Sequence, residues 1–290
     1  MDNLIRVIAR DGSVMCCAVD STKIAGEAER IHKTSATVTA ALGRLLTAGA
    51  MMGSMLKNPE DSVTLRLSGG GPAGKFTVVA DGAGMGKGDV GKPIVEIPLN
   101  QYGKLDVAGA VGQDGSLTVI RDLGFAQPTI GSVPIVSGEI AEDVTYYYAV
   151  SEQVPTVCSL GVLVNPDLTV ASAGGFLVQL LPGADDSVID RLEANINKLP
   201  AVSQMIADGM TPEQIAFAAL DGFEPEILDS RTAEYRCDCS RDRMRRALVS
   251  LGQEELARMV EEGENIEVNC HFCGTTHVFT PDEIRSFMQK

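Results

Sequence analysis

The sequence contains no tryptophan, only 4% of its residues are aromatic, and 24 lysines and arginines stand against 39 aspartates and glutamates, a formal net charge of −15. Proteins that bind nucleic acid combine basic surfaces with aromatic rings on which bases stack. Both features are scarce here, so nucleic acid is not expected as a main ligand. The acidic balance instead favours solubility.

Long apolar runs are also missing. The first residues, MDNLIRVIARDGSV, mix acid and base and contain no apolar segment typical of a signal peptide. The most apolar stretch, ATVTAALGRLLTAGAMMGSML at 36–56, is interrupted by Arg44 and three glycines, which is untypical of a membrane span. We therefore expect a buried helix here, no membrane association, and a protein of the cytoplasm.

Two glycine-rich segments match nucleotide-binding motifs in their letters but not in their surroundings. GGGPAGK at 69–75 is similar to a phosphate-binding loop, yet Phe76 occupies the position of the magnesium-binding Ser or Thr, and a strand-like FTVVAD follows. GKGDVG at 86–91 matches the dinucleotide fingerprint but continues into KPIVEIP rather than into a helix. No nucleotide is therefore expected as a ligand.

The first part of the chain predicts an α+β fold, with a mixed sheet-and-helix core domain at 1–182. Residues 24–57 have helical patterning with small residues on one face. Cys16 and Cys17 fall in one strand and face opposite sides of it; with Cys158 they are predicted to be buried and without a chemical role. The strand patterns follow one another without a regular βαβ alternation: LIRVIAR, SVMCCAVD, SVTLRLS, FTVVAD, VEIPL, SLTVIRDL, SVPIVSG, GVLVNP and GGFLVQLL.

A helical linker of conditional stability is predicted at 183–230. Thr211-Pro212-Glu213-Gln214 supplies an N-cap, a first-turn proline and a capping-box glutamine. Helices this short are marginal in water unless they pack on something. Apolar residues recur at helical spacing before Pro200, at Ile189, Leu192, Ile196 and Leu199.

The remaining residues, 231–290, predict a small separate domain. Ser240 and Thr280 are placed to cap helices, and IEVNC and THVFT are typical of a hairpin whose tip is CHFCG. At about sixty residues an apolar core is barely sufficient by itself, and a bound metal adds useful stability.

Four of the seven cysteines form two close pairs in this domain, Cys237-x-Cys239 and Cys270-x-x-Cys273. Paired cysteines in a reducing cytoplasm indicate metal or redox chemistry before structural disulfides. A Cys-x-x-Cys-Gly turn points backbone N–H groups at metal-bound sulfur, and Cys-x-Cys in extended chain puts both sulfurs on one side. Four thiolates predict a closed tetrahedral site with one zinc per chain.

No catalytic set accompanies these cysteines. His32, His271 and His277 are predicted to be solvated or to lie beside the metal site rather than to bind the metal. Zinc deaminases need a His-x-Glu motif, which the sequence lacks. A hydrolytic zinc needs an open coordination position, which four cysteines do not leave. The protein is therefore not expected to be an enzyme.

Three features suggest that the zinc site does more than stabilise its domain. Neighbouring cysteines can resolve each other's sulfenic acids into disulfides. Structural zinc contributes on the order of 10–16 kcal/mol in small domains, so its loss should unfold the domain. Five arginines flank the first pair, a setting that lowers the pKa of cysteine and increases its reactivity: Arg236, Arg241, Arg243, Arg245 and Arg246.

The two cysteine pairs, separated by thirty residues, occur with the segments GKLDVAGAVG, VSGEIAEDVTYYYAVSEQVP, GVLVNPD and AGGFLVQLLPGADD. Together they resemble the bacterial 33 kDa chaperonin family, the redox-regulated heat-shock holdases, over the whole chain. One segment departs from the family: GMGKGDVGKPIVEIPLN at 84–100 is shorter and richer in glycine, which leaves the local sheet geometry open.

The resemblance implies a redox switch. The four cysteines would bind zinc when reduced; on oxidation they would form Cys237–Cys239 and Cys270–Cys273 disulfides, release zinc, unfold the linker and expose a client-binding surface. It further implies ATP-independent holding of unfolded clients under heat and oxidative stress, and a homodimer as the active form.

Two alternatives remain open at this point. A constitutive zinc ribbon could bind RNA or another protein, which the arginine cluster mildly supports. A thiol oxidoreductase could use CHFC as its active pair, although in a thioredoxin-like fold that motif opens a helix, whereas here it is predicted at the tip of a hairpin.

Overall fold

The computed structural model describes residues 2–288, and its contacts divide the chain into two compact units, 1–236 and 237–290. Both units combine helices with β-strands, which confirms the predicted α+β class. Within the described residues, no helix is both long and apolar enough to cross a membrane.

The first unit contains ten strands that join into one sheet, in the order β7-β6-β3-β4-β5-β10-β1-β2-β9-β8. The strands are β1 (Asp2–Ala9), β2 (Val14–Asp20), β3 (Ser62–Ser68), β4 (Phe76–Asp81), β5 (Met85–Val90), β6 (Ser116–Asp122), β7 (Thr129–Pro134), β8 (Thr156–Val164), β9 (Val170–Leu180) and β10 (Pro225–Tyr235).

Seven α-helices accompany this sheet, and a π-helical turn at Tyr148–Glu152 follows the fourth. They are α1 (Thr22–His32), α2 (Ala36–Ser54), α3 (Val107–Val111), α4 (Ala141–Tyr147), α5 (Asp186–Ile196), α6 (Val202–Ala207) and α7 (Pro212–Ala219).

Helix α2 forms the centre of one apolar core. Nearly all of its side chains are buried, in a cluster with β3, β4 and α4. Its glycines allow a close approach to the sheet: a Cβ on Gly53 would lie 2.7 Å from the Asp81 carbonyl oxygen, and one on Gly49 would lie 2.7 Å from a Val78 methyl. The helical patterning at 24–57 is thus confirmed as two helices, α1 and α2, and the buried helix expected at 36–56 is α2.

Helices α5, α6 and α7 cover the other face of β1, β2 and β9 and form a second apolar core. The pleat of β2 separates its two cysteines as predicted, since Cys17 belongs to the first core and Cys16 to the second. The capping box is also confirmed: the Thr211 hydroxyl accepts from the Gln214 N–H, and the Gln214 side chain accepts from the Thr211 N–H.

Strand β10 was not predicted, because 183–230 was expected to be helical and PEILDSRTAEY lacks an apolar alternation. It pairs antiparallel with β1 along the whole of that strand. With β5 it shares only two parallel pairs, at Glu234 and Tyr235. The two contact units divide the chain after β10, and the three-part boundaries given above stay a prediction.

The strand predicted for VEIPL is wrong. Residues 95–99 form no ladder, because the polar backbone groups of Val95 bond to the Ser35 side chain instead of to a neighbouring strand. Pro93 precedes the segment and Pro98 lies within it, and proline lacks the N–H that a ladder needs. Just before it, the glycine-rich residues 85–90 form β5, which pairs regularly with β4.

The second unit consists of α8 (Arg241–Val249), α9 (Gln253–Glu262), β11 (Ile266–Asn269), β12 (Thr276–Phe279) and α10 (Pro281–Phe287). The predicted hairpin and caps are confirmed: β11 pairs antiparallel with β12, Ser240 caps α8, and Thr280 forms a capping box with Glu283. Its fully buried apolar core is small, being formed by Leu248, Leu256, Phe279 and Ile284.

Candidate metal centre

Two short segments bring the four cysteines together. Cys237 and Cys239 lie in extended chain just before the N-cap of α8, and Cys270 and Cys273 lie in the turn between β11 and β12. Gly274 closes this turn with a φ of 69°, a left-handed conformation that favours glycine. Its N–H donates to the Cys270 carbonyl at 2.8 Å.

The four sulfur atoms all lie within 4.8 Å of one another. Cys237 Sγ is 3.6 Å from Cys270 Sγ, and Cys239 Sγ is 3.3 Å from Cys273 Sγ. A tetrahedral zinc with Zn–S bonds of about 2.3 Å requires sulfurs about 3.8 Å apart. The cluster therefore fits a small ion that prefers four sulfur ligands.

The protonation of the thiols is uneven. Burial raises the pKa of Cys237 to about 11 and also raises the pKa of Cys239. At Cys273, burial is the largest single influence and acts in the same direction, but hydrogen bonds with the Thr275 side chain and backbone, together with those from Cys239 and Cys270, lower the pKa to about 7. Metals bind the thiolate, so a metal that enters this cluster must displace protons.

The arginines do not activate the thiols in the predicted way. Arg241 pairs with Glu283 at 2.7 Å, Arg243 with Asp238, and both Arg245 and Arg246 with Asp242. These four positive charges face acids of the same unit, and burial is the largest influence on the pKa of Cys237 and of Cys239, which it raises. The acids Asp238 and Asp242 stand between the arginines in the sequence and could have indicated this pairing.

Two polar side chains lie beside the sulfurs. The Thr275 hydroxyl is 3.2 Å from Cys273 Sγ, and His277 Nε2 is 3.9 Å from Cys239 Sγ. Sequence reasoning expected a histidine beside the site but missed Thr275. The other histidines lie elsewhere: His271 is exposed in the turn, and His32 Nε2 is 2.9 Å from the Gly88 carbonyl oxygen in the first unit.

The position of the Cys-x-x-Cys turn bears on the oxidoreductase alternative. The turn joins β11 to β12, so neither Cys270 nor Cys273 lies at the N-terminus of a helix. A thioredoxin-like site uses that helix end to stabilise its attacking thiolate. This geometry weighs against the alternative.

The other three cysteines are buried as expected. Cys16 and Cys17 are completely enclosed, and Cys158 lies in the first core. Burial raises the pKa of Cys17 to about 12 and also raises the pKa of Cys16 and Cys158. Thiols in this state are poor nucleophiles and poor metal ligands.

The two glycine-rich segments that match nucleotide-binding motifs belong to the sheet. GGGPAGK forms the connection between β3 and β4, which pair as a hairpin, and GKGDVG lies in β5. Neither precedes a helix, so neither offers the backbone arrangement that phosphate binding requires.

Comparison with known proteins gives a consistent result. Residues 2–280 match the model of a family described as Hsp33 protein. A 33 kDa chaperonin of Clostridium botulinum (strain Hall) is 44% identical over 288 residues, covering 99% of this chain and 97% of the relative. One of Clostridium perfringens (strain SM101) is 45% identical over 290 residues, covering 100% of this chain and 92% of the relative.

A solved structure agrees with these relatives. The crystal structure of a 33 kDa chaperonin (heat shock protein 33 homolog) from Thermotoga maritima matches this fold with a TM-score of 0.90 at 36% identity. The match covers 99% of this chain and 98% of the other. In sequence and in fold, this chain belongs to the Hsp33 family.

Proposed function

We propose that this member of the Hsp33 family is a redox-regulated, ATP-independent chaperone, a holdase that keeps unfolding proteins from aggregating under heat and oxidative stress. The observation that carries the proposal is the cluster of four thiols within 4.8 Å of one another in a unit with a small apolar core. The names of the relatives support a chaperone.

In the reduced state, we propose that Cys237, Cys239, Cys270 and Cys273 hold one zinc per chain. When bound, zinc supplies four strong bonds that tie the chain before α8 to the β11–β12 turn. Thr275 supports the thiolate of Cys273 with a hydrogen bond. Four buried side chains give little stability by themselves, so the folding of this unit depends on the metal.

Activation is an oxidation of the four cysteines. Within each pair, one thiolate attacks hydrogen peroxide, takes one oxygen as a sulfenic acid, and releases water. The neighbouring thiol then attacks that sulfenic sulfur and expels a second water, so that one peroxide forms one disulfide. By resemblance to the family the products are Cys237–Cys239 and Cys270–Cys273. Disulfide sulfurs no longer serve as thiolate ligands, and zinc is released.

Loss of the metal then exposes the client-binding surface by unfolding the predicted linker, 183–230. Its helices α5, α6 and α7 are short and depend on the apolar face of β1, β2 and β9. We propose that they unfold once the domain at 231–290 is disordered, while the core domain at 1–182 stays folded. The freed apolar side chains and the uncovered sheet face then hold clients.

The remaining parts of the proposal concern the surroundings of the protein. The partners are unfolded or partly folded proteins, without nucleotide, nucleic acid or membrane as ligands, and the active form is a homodimer in the cytoplasm. A net charge of −15 keeps such a complex soluble while apolar surface is exposed.

The test follows zinc release and light scattering of a thermally unfolding client while the zinc-loaded protein is treated with peroxide at elevated temperature. We expect zinc release together with suppression of aggregation, both reversed by a thiol reductant. Cys273→Ser should lose bound zinc, whereas the matched variant Cys158→Ser, changed at a buried cysteine outside the cluster, should switch normally.

The same assay separates the alternatives. A constitutive zinc ribbon would lose its structure on oxidation without gaining any ability to hold the client. A thiol oxidoreductase would turn over disulfides in a substrate without releasing zinc. Either result would contradict the proposed function.

A further inference from the structure

Strand β1 has the composition of a strand that would pair readily with other chains if one of its edges were open. Its sequence DNLIRVIA is apolar and rich in β-branched residues, it contains no proline, and Leu4, Ile5, Val7 and Ala9 are buried. An open edge on a strand of this kind pairs readily with other extended chains. One edge of β1 is held by β2, and the other edge is covered only by β10.

The covering strand is weakly held by side chains. Of the eleven residues of β10, only Ala233 is buried, while Ile227 and Leu228 are about half exposed. Its other attachments to β1 are polar, namely the Arg6–Asp229 ion pair and a 3.1 Å hydrogen bond from Ser230 to Asn3. The register also shifts once, between Arg6 and Val7. Elements that bury few apolar groups open at low free energy.

The position of β10 in the chain connects it to the switch. It follows the helices α5, α6 and α7 and ends at Tyr235, two residues before Cys237. Its second neighbour, β5, pairs with it at two residues, and the Tyr235 hydroxyl donates to the Gly88 carbonyl of that strand. When the chain loses order on both sides of β10, this strand is held by its backbone ladder to β1 and by a few polar contacts, with little apolar burial. These contacts are the half-buried Arg6–Asp229 ion pair and the hydrogen bonds of Arg231 and Tyr235 to backbone carbonyls.

We infer that the edge of β1 is a docking surface for clients, and that β10 covers it until the protein is oxidised. The inference rests on the proposed function and adds where a client binds and in which conformation. Its occupant is an unfolded polypeptide in extended conformation, which pairs antiparallel with Asp2–Ala9 as an added strand. The observation that identifies this occupant is β10 itself, an extended segment seated on the same edge in that register.

The geometry also indicates what an added strand gains. Backbone hydrogen bonds make the surface tolerant of sequence, as a holdase requires. The side chain opposite Asp2 enters the first core, and in β10 this residue is Ala233; Tyr235 of the same strand also packs against that core. A client segment with a small apolar residue at that position can make the same contact as Ala233.

The experiment uses the full-length protein and a labelled peptide with the β10 sequence, PEILDSRTAEY. A control peptide carries Arg231→Pro and Ala233→Pro, which remove two N–H groups on the side of β10 that faces β1, since the Glu234 N–H faces the other side and donates to the Gly84 carbonyl. The β10 peptide should bind the oxidised protein but not the reduced zinc form. The control peptide should bind the oxidised protein at least about tenfold more weakly than the β10 peptide does. The β10 peptide should also displace a held client.

Hydrogen exchange locates the binding. Amides of β1 on the edge that faces β10 should exchange quickly in the oxidised protein without a ligand, and slowly after the β10 peptide or a client is added, while those that bond to β2 stay protected. If β1 is already protected in the oxidised protein before any client is added, although that protein then holds clients, or if both peptides bind equally, the docking surface is wrong while the proposed function stands. If oxidation neither releases zinc nor permits client holding, both are overturned.

Discussion

At the scale of single residues, the adjacent Cys16 and Cys17 have different surroundings. Cys17 belongs to the core around α2, whereas Cys16 lies beneath the helices of the predicted linker. Both are completely buried, and burial raises the pKa of each. The pair can therefore report separately on the two faces of one strand.

We predict that iodoacetamide labels neither of these cysteines in the reduced zinc form. After oxidation of the four clustered thiols, Cys16 should be alkylated well before Cys17, because unfolding of α5, α6 and α7 uncovers only its face of the sheet. Mass spectrometry of the labelled peptides measures both rates. Equal rates at the two positions would show that the linker helices do not leave the sheet.

A second residue-scale feature is the carboxylate of Asp2. It accepts hydrogen bonds from the N–H groups of Ile24 at 2.7 Å and Lys23 at 3.1 Å, and so caps α1 from a neighbouring strand. The N-cap residue of that helix, Ser21, makes no side-chain cap itself. Burial is the larger influence and raises the pKa of Asp2 from 3.8 to about 6.

This raised pKa gives stability a pH dependence with a definite sign. Between about pH 4 and 6 the unfolded chain has lost the proton while the folded chain retains it, so the contribution of Asp2 to stability falls as pH rises. Denaturant unfolding of Asp2→Asn and wild type across this range measures it. The wild type should lose stability relative to the variant as pH rises, and a constant difference would contradict the assignment.

At the scale of elements, helix α7 is predicted to hold the linker on the sheet. Ile215 is completely buried in the second core, while Ile189 on α5 is 39% exposed. Ile215→Ala should cost about 2–5 kcal/mol, and Ile189→Ala under about 1 kcal/mol. The same substitution at the two positions thus makes a matched pair.

If linker unfolding exposes the client-binding surface, Ile215→Ala should give partial holdase activity while reduced and zinc-loaded. Ile189→Ala should stay inactive until it is oxidised. Hydrogen exchange of 183–224 and light scattering of a client measure order and activity on the same samples. A disordered linker in Ile215→Ala without any gain in holding would remove the linker from the mechanism.

The elements that sequence reasoning predicted correctly are those with local signals. The capping boxes at Thr211 and Thr280 depend on contacts within three residues, and the four cysteines converge because their spacing fixes two tight segments. Strand β10 has no such signal, since its partner β1 lies more than 200 residues away in the sequence. VEIPL has the composition of a strand, but the backbone of Val95 bonds to the Ser35 side chain instead of to a neighbouring strand. The strand predicted from its composition therefore does not form.

At the scale of the whole molecule, the two units differ in what stabilises them. The unit 1–236 has two extensive apolar cores, whereas 237–290 has four fully buried apolar side chains and the thiol cluster. Apolar burial of that size does not offset the conformational entropy of some fifty ordered residues. The smaller unit should therefore be the one that responds to the metal.

We predict that chelation of the metal from reduced protein unfolds 237–290 and leaves the core at 1–182 folded. In hydrogen exchange, amides of α8, α9 and α10 should lose protection, while those of α2 keep it. Restoring zinc should restore protection, since the thiols are still reduced. Retained protection throughout 237–290 after complete chelation would mean that the small core is sufficient without the metal.

The pairing of β1 with β10 also has a consequence for the order of events at the ribosome. Strand β1 precedes its partner β10 by more than 200 residues, so Pro225–Tyr235 must leave the exit tunnel before the β1 edge can be closed. Contacts so distant in sequence form late. Throughout most of its translation each copy of this protein thus carries the unprotected edge that we assign to its activated form, so its own biosynthesis passes through a stage prone to self-association.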